Sequence, residues 1–313
     1  MDHAREARDG GDGLPLPPPP PPPPPPLSPP PPTLQALHHP FVVSLHGTYA
    51  DANSIYFLLD LALGGELFGL LERMERLPEP MARFYVGSVA LAFQHIHHLE
   101  YVYRDLKPEN VLLDGHGYVK LCDFGFAKKV VDRTYTQCGT PDYVAPEMLN
   151  GQGVNQACDW WALGVVVHEL VSGYPPFTDG DGEDMKTFAK ILKGDLTLPE
   201  ATFSSTCRDL IRQLLQVKVV SRLGYLKGGA DDVLAHPWFA DAKFDWDGLV
   251  NRTMPPPWVP RLASADDDKC FDSESVKDSF VRLAAEGVSG PPISAEDEEQ
   301  YGHVWQAFGA PTG

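Results

Sequence analysis

Three short motifs in a fixed order constrain this chain more than any other feature. Tyr103-Arg104-Asp105-Leu106-Lys107-Pro108-Glu109-Asn110 comes first. Asp123-Phe124-Gly125 follows thirteen residues after Asn110, and Ala145-Pro146-Glu147 lies some twenty residues further on. Taken singly, Asp105 and Lys107 read as loop charges and Asp123-Phe124-Gly125 as an ordinary turn. Together they supply what phosphoryl transfer requires: a carboxylate to orient the attacking hydroxyl (Asp105), a cation on the moving phosphate (Lys107), and oxygen ligands for Mg²⁺ (Asn110 and Asp123). Short β-rich runs at 111–113 and 118–121 bracket a Gly115-His116-Gly117 turn and predict a small ribbon. Asn110 and Asp123 fall at its two edges, so residues far apart in sequence meet at one ion.

The remaining chain divides by composition. Residues 1–32 are of low complexity, and Pro17 to Pro26 run without a break. Ten consecutive prolines neither pair in a sheet nor continue a helix, which leaves a polyproline II rod or a disordered spacer. This segment reads either as a structureless tail or as a ligand for an SH3- or WW-type groove. From Thr33 the pattern changes. Residues 34–37 read as the last turn of a helix stopped by Pro40, and the runs 43–49 and 55–59 predict a hairpin turning at 50–53. Pro78-Glu79-Pro80 starts a helix in which Met81, Phe84, Tyr85, Val89, Ala92, Ile96 and Leu99 recur at helical spacing. His95, His97 and His98 at its end suit the macrodipole. Further helices are expected at about 156–172, 184–193 and 204–216. His236-Pro237-Trp238-Phe239 closes the globular part, and the segment from about Asp241 is expected to wrap a surface.

Charge and cysteine usage narrow the setting. The 313 residues carry a net charge of −18. Between Ser264 and Gln300, eleven Asp or Glu stand against Lys269, Lys277 and Arg282, a local net of −8. That balance argues against nucleic acid and anionic membranes and favours basic partners. The five cysteines are scattered, without a C-x-x-C pair, as expected in a reducing compartment. With no leader-like segment and no apolar run of membrane-spanning length, the expectation is a cytoplasmic or nuclear protein.

Longer stretches carry a family resemblance. The run from Thr136-Gln137-Cys138-Gly139-Thr140-Pro141 to Ala145-Pro146-Glu147 resembles the activation and peptide-binding segment of AGC protein kinases. Asp159-Trp160-Trp161-Ala162-Leu163-Gly164 and Gly173-Tyr174-Pro175-Pro176-Phe177 are similar to the cyclic-AMP-dependent kinase. Met185-Lys186-Thr187 and Phe244-Asp245-Trp246-Asp247-Gly248-Leu249 are closer to the cyclic-GMP-dependent kinase. The resemblance runs from about Leu34 to Asp272. It implies an α+β, protein-kinase-like fold with a mostly helical large lobe (64–240), a truncated β small lobe (33–63) and an extended C-terminal tail (241–313). It also implies a serine/threonine kinase that uses ATP and Mg²⁺.

Carried over motif by motif, the resemblance gives Asp105 the substrate hydroxyl, Lys107 the transferred phosphate, and Asn110 and Asp123 the Mg²⁺. Leu59, Asp60 and Ala62 fall at the hinge that receives adenine, with Glu66 nearby. Leu112 forms the floor, and Phe271 matches a tail residue leaning over the nucleotide. Thr136 matches an activation-loop phosphosite, with Arg104 and Lys128 as cationic partners. Thr140 falls on the substrate side, and Glu147 and Arg222 match a buried structural pair. Glu66, Glu109 and Glu169 match positions that read arginines upstream of the target serine; the alternative for each is a solvated surface charge. Cys122 faces the nucleotide in family members that carry cysteine there, and reads as either a reactive or a buried, inert thiol.

The pattern departs upstream. The first lysine in the sequence is Lys107, whereas a kinase grips the α- and β-phosphates with a small-lobe lysine paired to a helix glutamate. Aligning residues 34–37 with the end of that helix puts its glutamate near Pro30, inside the proline tract. The glycine-rich loop is missing as well. Two expectations follow: a truncated reading frame, favoured by the intact large-lobe residues, or a kinase-like protein without activity. The rival functions are a non-catalytic binding module that presents its acidic face as a decoy, and a fragment competing for a kinase inhibitor.

Overall fold

Apolar spacing builds the centre of the molecule from two helices. The structure is a computed structural model and describes residues 36–50, 55–130, 134, 140–178, 183–264, 267 and 269–271. The proline tract and Thr136 lie outside the described residues. Helix α1 spans Leu67–Met74 and helix α2 spans Glu79–His98. Pro80 sits in the first turn of α2, where a missing amide proton is harmless. Helix α3, Ala157–Ser172, buries fifteen of its sixteen residues. It crosses α2 with Trp160 edge-on to Phe93, ring centres 5.6 Å apart. Helices α4 (Asp184–Lys193) and α5 (Ser205–Leu214) flank this pair. The result is the helical large lobe of an α+β fold, and among the described residues no helix is long and apolar enough to cross a membrane.

Three two-stranded sheets complete the frame. Strands β1 (Leu45–Ala50) and β2 (Ile55–Leu59) form the expected antiparallel hairpin. Strand β3 (Tyr101–Val102) pairs with β6 (Lys128–Lys129). Strands β4 (Val111–Leu113) and β5 (Val119–Leu121) form the ribbon that the motif spacing predicts. An isolated hairpin is marginal in water, and this one is tied to the ribbon. The Val43 amide donates to the Leu121 carbonyl at 3.0 Å, and the Leu121 amide donates to Phe41 at 2.8 Å. Lys120 pairs with Asp60 at 2.7 Å, and His39 stacks on His95 of α2 with ring centres 5.3 Å apart. Phe57 and Leu61 nevertheless remain 46% and 42% exposed.

Several local expectations are corrected. Helix α1 was not anticipated, although Leu67, Leu70, Leu71 and Met74 have helical spacing. His97 does more than complement the helix dipole: its Nε2 lies 2.7 Å from the buried carboxylate of Asp159. Packing also continues past Phe239. Helix α6, Trp246–Val250, buries Leu249 completely, and the chain then runs as a strap across the ribbon. Tyr118 donates its hydroxyl to the carbonyls of Arg252 and Met254 at 2.6 and 2.7 Å, and Arg252 pairs with Asp114. Gly117, at φ +89°, meets the Trp258 carbonyl so closely that no side chain fits.

Glu147 and Arg222 join two segments of this lobe. Arg222 is fully buried and bidentate to Glu147 at 2.7 and 2.9 Å. It also donates to the carbonyls of Ala157 and Gln216 and stacks on Trp161 at 5.1 Å. Removing one partner strands a buried charge. Arg222→Leu is therefore expected to cost about 3–5 kcal/mol in urea unfolding, and Glu147→Leu in the same chain should recover part of the loss. A cost below about 1 kcal/mol for the single change would contradict this account.

Candidate active site

The loop at 103–110 is shaped by strain and by one buried acid. Arg104 has φ +71° and Asp123 φ +51°, a region that side chains other than glycine rarely adopt. Such conformations persist only where surroundings overdetermine them. At Arg104 the determinant is Asp159, which is 1% exposed at the start of α3. Its carboxylate accepts the backbone amides of Tyr103 and Arg104 at 2.9 and 2.8 Å. The Arg104 guanidinium donates to the carbonyl of Phe126, joining the loop to the segment after Asp123. Phe124 packs edge-on to Tyr103, ring centres 5.2 Å apart.

On this frame the four residues singled out in the sequence come together. Asp105 is buried, and Asn110 donates its amide to both the Asp105 backbone carbonyl and the Asp105 carboxylate, each at 2.8 Å. Burial raises the pKa of Asp105, opposed by Lys107 and the Asn110 hydrogen bond and assisted by Asp123. Lys107 Nζ lies 3.9 Å from the same carboxylate and donates to Thr140 Oγ1 at 3.1 Å. The Cys122 amide donates to the Asn110 carbonyl at 3.0 Å, so Asn110 and Asp123 emerge side by side. Both donor hydrogens of Asn110 are turned to Asp105, which leaves its side-chain oxygen as an acceptor. Asp123 is exposed beside it. Two hard oxygen donors near a lysine fit Mg²⁺ whose other ligands are phosphate and water. Among the described residues no cluster of three or more His, Cys, Asp or Glu forms a cage by itself.

Three glutamates line the neighbouring face. Burial and then the charge of Glu109 push the Glu66 carboxyl above the usual range. Glu109 keeps one carboxylate oxygen buried without a hydrogen-bond partner. Glu169 is 4% exposed and accepts the Tyr143 hydroxyl at 2.7 Å. Burial raises its pKa to about 7, against the Tyr143 hydrogen bond and with help from Glu109 and Asp142. Glu169 is thus no solvated surface charge. Glu109 interacts with both of the others, and the set forms one under-compensated patch of negative charge.

Residues 32–239 match the protein kinase domain. The chain belongs to the protein kinase family. Among curated relatives it is 43% identical to a cAMP-dependent protein kinase catalytic subunit of Arthrobotrys oligospora, over 88% of this chain and 50% of that protein. It is 44% identical to the catalytic subunit of Schizosaccharomyces pombe over 77% and 46% of the two chains. To the human cAMP-dependent protein kinase catalytic subunit PRKX it is 43% identical, over 77% and 66%. The chain spans about half the length of the first two of these relatives.

Against the kinase pattern, the remaining residues fall as follows. At the expected hinge Leu59 is 37% exposed and Ala62 is buried, and Glu66 bridges to Leu112 on β4. The Asp60 carboxylate is committed to structure, accepting the Ser44 amide and contacting His46 and Lys120. Burial pushes its pKa up, but Lys120, His46 and the Ser44 amide outweigh that and hold it below the usual range. Phe271 ends the described part of the tail and is half-buried. Lys128 donates to Thr134 Oγ1 at 3.1 Å. Cys122 corrects the reactive-thiol reading. Its Sγ donates to the Asn110 carbonyl at 3.3 Å, and burial followed by the charge of Asp123 raises its pKa to about 12. The thiolate is suppressed.

Asp159 was overlooked as a site residue. Its sequence signal is a carboxylate set between Cys158 and Trp160 in the first turn of a helix that is mostly apolar.

The pKa of Glu169 has a stability consequence. Folding disfavours its ionised form, so its contribution is present at low pH and lost as pH rises towards and through about 7. Glu169→Gln keeps an acceptor for Tyr143 and removes that cost. The variant is expected to gain about 1–3 kcal/mol at pH 8 and almost nothing at pH 4, below the unfolded value, read by urea unfolding at both pH values. An equal effect at the two would show that Glu169 titrates normally.

Proposed function

We propose that this site transfers the γ-phosphoryl group of ATP to serine or threonine in peptides with arginines two and three residues upstream. The single observation behind the reading is the contact set Asp105–Asn110–Lys107–Thr140. A buried carboxylate held by an amide has a lysine bridging it to the peptide-binding segment. Asp105 orients the attacking hydroxyl and takes up its proton, and Lys107 neutralises the phosphoryl oxygens. Asn110 and Asp123 would hold Mg²⁺, which supplies charge neutralisation at the phosphates when bound. Glu66, Glu109 and Glu169 offer arginine the counter-charge they lack among themselves. Having all four groups together supports an enzyme over a binding module. Leu59, Ala62, Leu112 and Phe271 are proposed to contact the adenine nucleotide, and Thr136 to be the phosphosite served by Arg104 and Lys128. The scattered cysteines fit a cytoplasmic or nuclear setting, and the proline tract fits an SH3- or WW-type groove.

We further propose that the 313-residue chain is slow. It has no lysine before Lys107 and no glycine-rich loop to clamp the phosphates. Catalysis here is positioning and electrostatics, so losing these clamps together is expected to cost on the order of 10⁴-fold or more in rate.

The test is Mg-ATP binding by calorimetry together with phosphate transfer to an arginine-containing peptide, with Asp105→Asn as control. Weak transfer above that control is expected. Turnover near one per second would refute the slow-enzyme clause, and transfer no greater than the control's would refute catalysis. Protonation of Glu169 below about pH 7 removes charge from the arginine site, so peptide KM should rise as pH falls from 8 to 6. Glu169→Gln should flatten that dependence. Acidic and basic peptides turned over equally would sink the substrate reading.

A further inference from the structure

The chain carries on its own surface the pattern that its acidic face would read. Arg261 lies three residues before Ser264 in the strap that follows α6, and both residues are exposed. Among the described residues Arg261 is engaged in no ion pair. The strap is anchored on both sides of them. Leu262 sits against the Gly115 turn of the ribbon, and Cys270 covers Gly65 so closely that no side chain fits there. Between the anchors the described residues meet at one carboxylate. The Asp267 carboxylate accepts the Ala263 amide at 2.6 Å and pairs with Lys269, and the Asp267 amide donates to the Ser264 backbone carbonyl at 3.4 Å. Ser264 is the exposed hydroxyl of that turn.

We propose that Ser264 is a phosphorylation site for an arginine-directed serine/threonine kinase, recognised through Arg261, and that its phosphate unlatches the strap. The choice of modifying enzyme rests on the arginine-reading role proposed above for Glu66, Glu109 and Glu169. In the step, Ser264 Oγ forms a bond to the γ-phosphorus of ATP as the bridging bond to ADP breaks. The hydroxyl proton passes to the modifying kinase's carboxylate. The product adds a charge of about −2 to the residue between the Ala263 amide that Asp267 holds and Asp267 itself. Like-charge repulsion disfavours the turn, and the phosphate competes with Asp267 for Lys269. The segment that carries Cys270 and Phe271 then loses one of its two supports.

The experiment incubates the full chain and a free peptide spanning residues 258–269 with an active cAMP-dependent protein kinase catalytic subunit and Mg-ATP. Mass spectrometry locates the phosphate. Ser264 is expected to be modified in both, with the rate falling about tenfold or more in Arg261→Gln, the scale of a lost charge-assisted contact. Ser264→Ala is expected to remove the signal. After modification, Cys270 should react several-fold faster with an alkylating reagent than in the unmodified chain. A modified peptide beside an unmodified chain, equal rates for Arg261→Gln, or unchanged Cys270 labelling would each overturn the proposal. Binding of arginine peptides to this chain's own face is measured separately. A chain that binds them while Ser264 stays unmodified refutes this site alone. A chain modified at Ser264 that ignores such peptides refutes only the reading of its own face.

Discussion

The hydrogen bonds from the Tyr103 and Arg104 amides to Asp159 are the interaction on which the rest of the site depends. They hold Arg104 in a left-handed conformation that costs about 1–3 kcal/mol, and that conformation turns Asp105 toward Asn110 and Lys107. Asp159 can do this because α3 is otherwise packed into the core, with Trp160 and Trp161 beside it. A carboxylate so deeply buried must be satisfied, and four donors meet it: two backbone amides, His97 and the Cys158 thiol. The core thus fixes the loop directly, without relying on the loop's own sequence.

Much of this was legible in the residues. Helical spacing in α2, the apolar run of α3 and the two β-rich runs around Gly115 each identify their elements, because burial imposes periodicity. The four residues proposed to act stand out in the sequence because phosphoryl transfer demands particular groups at particular spacings, and the fold brings Asp105, Lys107 and Asn110 into contact. What escaped was set by tertiary contact. Helix α1 is short and sits between turn signals, which blurred a spacing that was present. Nothing in Cys122 or Glu169 as letters tells how deeply the fold buries them, and burial decides both pKa values. The role of Asp159 depends on two amides more than fifty residues upstream, a separation that no local pattern reports.

The acidic face carries an electrostatic cost. Three carboxylates close together, one with a buried oxygen lacking any partner, lower the stability of the empty fold. Tyr143 relieves only part of this, by its bond to Glu169. A guanidinium entering the patch would relieve the rest. On the reading proposed above, affinity for cations would be the counterpart of strain accepted in their absence, and the raised pKa of Glu169 would set how much of it is felt at neutral pH.

The pairing of residues 41–43 with Leu121 has a mechanical consequence. Strand β5 is grasped on one edge by β4 and on the other by the segment leading into the hairpin. It ends two residues before Asp123. The hairpin is therefore no free lid hinged above the cleft: it is the long arm of a lever whose short arm carries the Asp123 carboxylate, the oxygen proposed above to hold Mg²⁺. A load on the open apolar surface at Phe57 and Leu61 is delivered through Leu121 to Asp123, so what grips the hairpin also sets the aim of that carboxylate.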